Sequence, residues 1–175
     1  MEFTPLEIEG AFGISEKSYF DQRGSLTRIW DADSVLRNFN LVQSSIVTNP
    51  ASGTLRGLHY QAEPFSENKV VECVSGKVFD VIFDMRKNSK TYRKHLTIVI
   101  GPSEPNIGLL VPAGCAHGYL TLQPHSTMLY FMDNVYSMEH SRGIPWNDNA
   151  LAVKWPFSPL LLSEQDASWP ITSLQ

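Results

Sequence analysis

The chain has 175 residues, 42% hydrophobic and 18% charged, which suffices for one soluble domain with a sizeable core. A net charge of −4 argues against nucleic-acid or anionic-membrane binding, yet leaves room for a small anionic ligand held by a few local arginines. No apolar run approaches the roughly 18 residues of a membrane span, Met1-Glu2-Phe3-Thr4 does not read as a signal peptide, and Cys73 and Cys115 match no metal or redox spacing, so a cytoplasmic protein with reduced thiols is expected.

Short β-rich runs separated by turn residues recur along the chain. Strands are expected over about residues 12–19, 25–30, 42–48 and 54–61. The next two, 69–75 and 77–84, meet at Ser75-Gly76, a two-residue hairpin signal. A strand over 95–100 ends at Gly101-Pro102, and one over 107–112 runs into Pro112-Ala113-Gly114. Two more are expected at 117–122 and 127–132, with short helices at about 33–38, 148–152 and 163–167. The Pro-rich C-terminal third after Trp146 should pack as loops and short helices over the strands. Many short strands and few helices indicate an all-β barrel or sandwich, and the lack of repeats or linkers keeps it to one domain.

The run Thr54-Leu55-Arg56-Gly57-Leu58-His59-Tyr60-Gln61 reads as a strand that carries a guanidinium and an imidazole three residues apart. Strict alternation would put Arg56 and His59 on opposite faces. A glycine inside a strand often marks a bulge, and a bulge re-aims side chains. With Gly57 as that bulge, an anion binder and a titratable base enter one cavity. His59, Lys69, Asp80, His117 and Tyr130 all sit in strand-like segments, and a closed barrel converges such residues on its interior. Each also has an ordinary reading. A lone strand histidine is more often structural, a strand Lys or Asp usually faces solvent, and Tyr130 between Leu129 and Phe131 fits a core. Spacing alone does not separate the set from these readings.

Longer stretches add to the residue-level reading. Arg56–Gln61, Lys69, Gly76-Lys77-Val78-Phe79-Asp80-Val81, Asp84-Met85-Arg86, Val111-Pro112-Ala113-Gly114-Cys115-Ala116-His117-Gly118 and Arg142-Gly143-Ile144-Pro145-Trp146-Asn147-Asp148 resemble the dTDP-4-dehydrorhamnose 3,5-epimerase family of nucleotide-sugar epimerases. Asp21-Gln22-Arg23-Gly24 and Leu162-Ser163-Glu164-Gln165-Asp166 resemble its opening and closing segments. The resemblance implies a cupin-type jelly roll, a homodimer, and epimerisation of a nucleotide-diphosphate sugar next to a ketone. It implies His59 as general base, Asp166 as the carboxylate that orients it, Lys69 beside the enolate oxygen and Tyr130 as proton donor. Arg23 and Arg56 match diphosphate-binding residues, and His117 and Asp80 are expected in the cavity as supporting groups. Pro112-x-Gly114-x-x-His117 resembles half of a metal-binding cupin signature, but His59-Tyr60-Gln61 lacks the second histidine of the other half. No metal or other cofactor is therefore expected.

The chain departs from the family pattern where the nucleotide would be recognised. Ser25-Leu26-Thr27-Arg28 stands where the family usually has aromatics and a glutamate, and Arg28 is donor-only where a thymine N3–H needs an acceptor. Gln43 is followed by Ser44-Ser45, Tyr130 by Phe131, and only Tyr136 remains of a tyrosine pair, with Val135 as the other member. The nucleotide is therefore left open among dTDP, CDP and GDP, with Arg28, Gln43 and Tyr136 in the expected binding set. A sugar-nucleotide 3,4-ketoisomerase and a non-catalytic sugar-nucleotide-binding cupin are the alternatives.

Overall fold

Alternation along the strands builds two antiparallel sheets that face each other across an apolar core. The computed structural model describes residues 1–31 and 34–170. With strands numbered in chain order, the first sheet runs β1 (Glu2–Pro5), β2 (Phe12–Ser15), β10 (Gly108–Val111), β7 (Lys69–Ser75), β12 (Ser126–Met132), β5 (Gln43–Asn49). The second runs β13 (Ser141–Gly143), β6 (Leu55–Gln61), β11 (Cys115–Thr121), β8 (Val78–Asp84), β9 (His95–Ile100). β3 (Ser18–Asp21) and β4 (Gly24–Thr27) pair only with each other and form a separate hairpin. Val71 and Cys73 of β7 and Met128 of β12 meet Val78, Ile82 and Tyr119 of the facing sheet, all fully buried. Each such side chain stabilises the fold by about 1.5–3 kcal/mol. The result is the expected jelly roll.

Two further apolar layers cover the outer faces. Val70 and Phe131, on the far face of the first sheet, are covered by Leu36 of a 3₁₀ helix (Ser34–Asn38) and by Trp30, whose ring lies 5.1 Å from that of Phe131. That helix answers the one expected over 33–38; residue 33 lies outside the described residues. Leu151, Val153 and Trp155 pack on Leu58, Val81, Phe83 and Ala116, so the C-terminal third does lie over the second sheet. The described residues contain no helix long and apolar enough to cross a membrane.

Several expected elements differ. Ser75-Gly76 does not close a hairpin: β7 and β8 belong to different sheets, and Gly76, at φ +76°, turns the chain across the sandwich. The strand expected over 12–19 breaks at Glu16-Lys17 into β2 and β3, and that over 25–30 stops at Thr27. The edge strands β1 and β13 were too short to read. No helix forms over 148–152, because the Asp148 side chain accepts from the Ala150 N–H (2.8 Å) and Ala152 sits at φ +50°. The last helix, α1 (Glu164–Ser168), does form, and Ser163 caps it by accepting from the Asp166 N–H at 3.0 Å.

The expected bulge is present at Gly57. His117 pairs with His59 and Tyr119 with Arg56, so two residues of β6, Gly57 and Leu58, oppose the single Gly118 of β11. The extra residue resets the alternation, and Arg56 and His59 line one cavity. Gly57 sits at φ +117°, and a Cβ there would lie 2.6 Å from the Gly118 Cα and 2.7 Å from the His117 carbonyl oxygen. Strain and backbone overlap together should cost roughly 3 kcal/mol or more in Gly57→Ala. Thermal unfolding should then show a Tm about 6–12 °C lower. An unchanged Tm would mean that the bulge is not tightly held.

Glu72 of β7 is fully buried, and neither its oxygens nor those of neighbouring Glu16 meet a donor among the described residues. Burial, then the charge of Glu16, pushes the Glu72 carboxyl from 4.5 up to about 9. The folded chain therefore holds this proton more tightly than the unfolded one. Stability from Glu72 is full below pH 4.5 and is lost as pH rises toward 9. Glu72→Gln should raise Tm at pH 8.5 and change it little at pH 4.5; an equal effect at both would exclude this titration.

Candidate active site

The two sheets enclose a cleft with walls from both. A cavity of about 430 Å³ is lined by Gln43, Arg56, His59, Lys69, His117, Tyr130 and Asp166. It adjoins a second cavity of about 230 Å³ that shares Gln43, His59, Lys69 and Tyr130 and adds Tyr60, Gln61, Glu67 and Tyr136. His59 enters from β6, while Lys69 and Tyr130 enter from the facing sheet on β7 and β12.

His59, with 40% of its side chain exposed, bonds through Nε2 to Asp166 Oδ1. The C-terminal segment is stitched to the start of β6 before it reaches that point. Leu55 N–H donates to the Leu161 carbonyl (2.9 Å), and Leu160 N–H donates to the Gly53 carbonyl (2.9 Å). Ser163 then caps α1 and sets Asp166 in its first turn. Asp166 also accepts from the Gly57 N–H (3.4 Å) and from the Trp169 indole N–H (3.3 Å). Burial alone would raise the Asp166 carboxyl, but the His59 bond and charge and the Trp169 donor outweigh it and hold it below the ordinary value. Gly143, opposite His59 on β13, leaves the space that the Trp169 ring fills.

Arg56 donates from Nε to Asn49 Oδ1 at 2.9 Å, and buried Asn49 is itself tied to the Ser126 carbonyl at 3.1 Å. The guanidinium is thereby fixed in the cavity wall. His117 Nε2 meets both oxygens of Asp80, at 3.0 and 2.9 Å, with both side chains buried. Tyr130 stands edge-on to His117, with ring centroids 6.2 Å apart. Burial, followed by neighbouring Tyr119 and Asp80, pushes its phenol well above the ordinary value, so it stays protonated at neutral pH. Lys69 Nζ lies 2.9 Å from Glu67 Oε1. Gln43 Oε1 accepts from the Tyr136 N–H (3.2 Å), and the exposed Tyr136 ring stands at the rim. The cleft thus holds a carboxylate-oriented imidazole, an ammonium and a protonated phenol around one space.

Three expected residues fall outside it. Asp80 lies behind His117 rather than in the cavity wall, because its place on β8 puts it one strand away from the opening. Arg23 sits on the projecting β3–β4 hairpin, 90% exposed and forked onto Asp21 at 2.6 Å. Arg28, just beyond that hairpin, pairs with Asp31 at 3.1 Å. Conversely, Gln61, Glu67 and Trp169 were not singled out as functional. Glu67 precedes the strand that opens at Lys69, so no strand alternation marked it. Both cleft histidines have Nε2 on a carboxylate, and the described residues contain no cluster of three or more metal-type ligands.

A jelly-roll cleft built this way is of the cupin type and carries the groups for side-chain acid–base chemistry on a small ligand, and comparison with known proteins narrows that class. The profile of dTDP-4-dehydrorhamnose 3,5-epimerase matches residues 5–173. The chain is 37% identical over 174 residues to the dTDP-4-dehydrorhamnose 3,5-epimerase of Sinorhizobium fredii, covering 97% of this chain and 89% of that one. Its fold is similar to the Bacillus anthracis dTDP-4-dehydrorhamnose 3,5-epimerase solved with TDP and PPi bound, with TM-score 0.88, 33% identity, and 98% and 100% of the two chains covered. It is similar also to a 3'-monoepimerase from Streptomyces bikiniensis in complex with dTDP-quinovose, with TM-score 0.85, 27% identity, and 95% and 85% covered. The chain belongs to the dTDP-4-dehydrorhamnose 3,5-epimerase family and is an epimerase of deoxysugar biosynthesis. The ketoisomerase and binding-only alternatives give way to that finding.

The indole donor on Asp166 has a measurable consequence. Trp169→Phe keeps an aromatic ring at this position and removes the N–H, so the Asp166 carboxyl should titrate at higher pH by ¹³C NMR. An unmoved titration would show that the indole does not act on it.

Proposed function

We propose that this enzyme epimerises a dTDP-linked 4-keto-6-deoxy sugar at C5, C3 or both, through an enolate formed by side chains alone. The observation that supports it is the convergence of the His59–Asp166 pair, Lys69 and the protonated Tyr130 on one cleft.

The 4-keto group acidifies the C–H bonds at C3 and C5. With Nε2 held by Asp166, His59 has Nδ1 left to take the proton. The C–H electron pair moves into a C=C bond and the ketone becomes an enolate oxygen. Lys69 lies where it can stabilise that charge, and Asp166 stabilises the imidazolium. Tyr130, from the facing sheet, then delivers its proton to the opposite face of the ring and is reprotonated from solvent. Arg56 holds the diphosphate, with His117 beside it kept in place by Asp80. Gln43 and Tyr136 form the nucleotide end, where an exposed aromatic ring offers a stacking surface for a base.

Arg23 and Arg28 serve a substrate in this scheme only from a second copy of the chain. The hairpin that leads to them exposes Tyr19, Phe20 and Leu26, an apolar face suited to a partner of the same sequence. We therefore propose a homodimer. Sedimentation should give twice the chain mass at micromolar concentration, and a strictly monomeric, active enzyme would exclude it.

Deuterium wash-in from D₂O tests the chemistry. The wild-type enzyme should exchange deuterium into dTDP-4-keto-6-deoxyglucose at C5, C3 or both, with dTDP bound more tightly than CDP or GDP. Exchange only into CDP- or GDP-linked sugars would overturn the nucleotide assignment. His59→Ala should lower exchange by about 10²–10⁴-fold while dTDP binding stays near wild type. Tyr130→Phe should impair inversion more than exchange. Retained exchange in His59→Ala would show that another group is the base.

A further inference from the structure

Glu67 is a carboxylate on the inner wall directly beside Lys69, an odd neighbour in a cleft read as holding a diphosphate and a developing enolate. Its surroundings explain it. Oε1 lies 2.9 Å from Lys69 Nζ, and Oε2 accepts from Gln61 Nε2. Both ends of the pair are nearly buried, with 11% of the Lys69 side chain and 9% of the Glu67 side chain exposed. Gln61, itself 5% exposed, continues the chain of contacts. Its Oε1 accepts from the Ser137 N–H at 2.6 Å, and its Nε2 also reaches the carbonyls of Val135 and Phe65, each at 3.0 Å. Ser137 and Val135 flank Tyr136 on either side.

The polarity of this run is forced. The Ser137 N–H can only donate, and the Val135 and Phe65 carbonyls can only accept, so the Gln61 carboxamide has one allowed orientation. Its NH₂ therefore faces Glu67. Lys69 likewise can only donate. The residue at 67 must accept on both sides at once, which a carboxylate does and a carboxamide of the same length does not. Glutamine here would set its own NH₂ against either Gln61 or Lys69.

We propose that Glu67 is a positioning residue that fixes Lys69 on one side and, through Gln61, the backbone presenting Tyr136 on the other, so that the sugar end and the nucleotide end of the cleft are set by one carboxylate. This rests on the reading of Lys69 and Tyr136 given above. Two neighbouring bonds share the task of holding the loops together. Asp133 accepts from the Asn68 N–H (2.7 Å), and Asn134 Nδ2 donates to the Ser66 carbonyl (3.3 Å). These persist when Glu67 changes, so the substitution loosens the run without removing the loops' other ties.

Glu67→Gln tests it with two readouts, the exchange rate at saturating dTDP-4-keto-6-deoxyglucose in D₂O and the dTDP dissociation constant. Wild-type enzyme is run in parallel; a wild type with no exchange would sink the proposed function instead. The variant should lose at least about tenfold in one readout, whichever side its NH₂ opposes, with circular dichroism unchanged. Both readouts within twofold of wild type would overturn the proposal. Should Glu67→Gln fail to fold, Gln61→Met removes only the Tyr136 side. It should weaken dTDP binding severalfold, and unchanged dTDP binding would overturn the proposal.

Discussion

Between β6 and β11 the two backbones come so close at Gly57 and Gly118 that a methyl group on either would overlap the other strand. An added Cβ on Gly57 would lie 2.6 Å from the Gly118 Cα, and one on Gly118 would lie 2.7 Å from the Arg56 carbonyl oxygen. That approach is what lets β6 carry one residue more than its partner while staying in the sheet. Because side-chain direction has a period of two, one extra residue turns an odd spacing into an even one. Arg56 and His59 thereby share the interior, and the rest of the site is arranged around them.

The interior position brings its own demand. An imidazole half-buried in the cleft needs a partner that sets its orientation, and the barrel strands offer His59 none. The C-terminal segment supplies it: the stitches at Leu160 and Leu161, the Ser163 cap and the Trp169 ring seated over Gly143 all converge on Asp166. His117 is treated differently, with Asp80 from the neighbouring strand. The ammonium of Lys69 has Glu67. Each polar group on the cleft floor is thus tied to a second group behind or beside it, as a low-dielectric site requires. Tyr130, buried beside Tyr119 and Asp80, is pushed toward its neutral form, the form that can donate a proton.

Much of this was legible in the sequence, and the failures have physical causes. The bulge was legible because a glycine between two polar residues in a strand has few other uses. The strand pattern was legible where β-rich apolar runs were strong, as in β7, β8 and β12. The Ser75-Gly76 turn was misread because local turn chemistry is the same whether the next strand pairs with the last or crosses to the other sheet. Residues 148–152 lack a helix because the Asp148 side chain competes for the backbone. Arg23 and Arg28 were expected to bind the substrate; within one chain they sit on or just beyond a hairpin that pairs only with itself, a placement that no local pattern reports. Glu67 and Gln61 escaped notice because their meaning lies in hydrogen-bond polarity, which exists only once the loops at 62–68 and 133–137 meet.

The central claim is that one bulge delivers the diphosphate-binding and proton-abstracting groups to a single substrate. A crystal structure with a dTDP-linked 4-keto sugar analogue bound tests it most directly. The Arg56 guanidinium should contact the diphosphate while the free His59 ring nitrogen lies about 3–3.5 Å from C3 or C5 of the same molecule. A diphosphate held away from Arg56, or a sugar ring out of reach of His59, would contradict it.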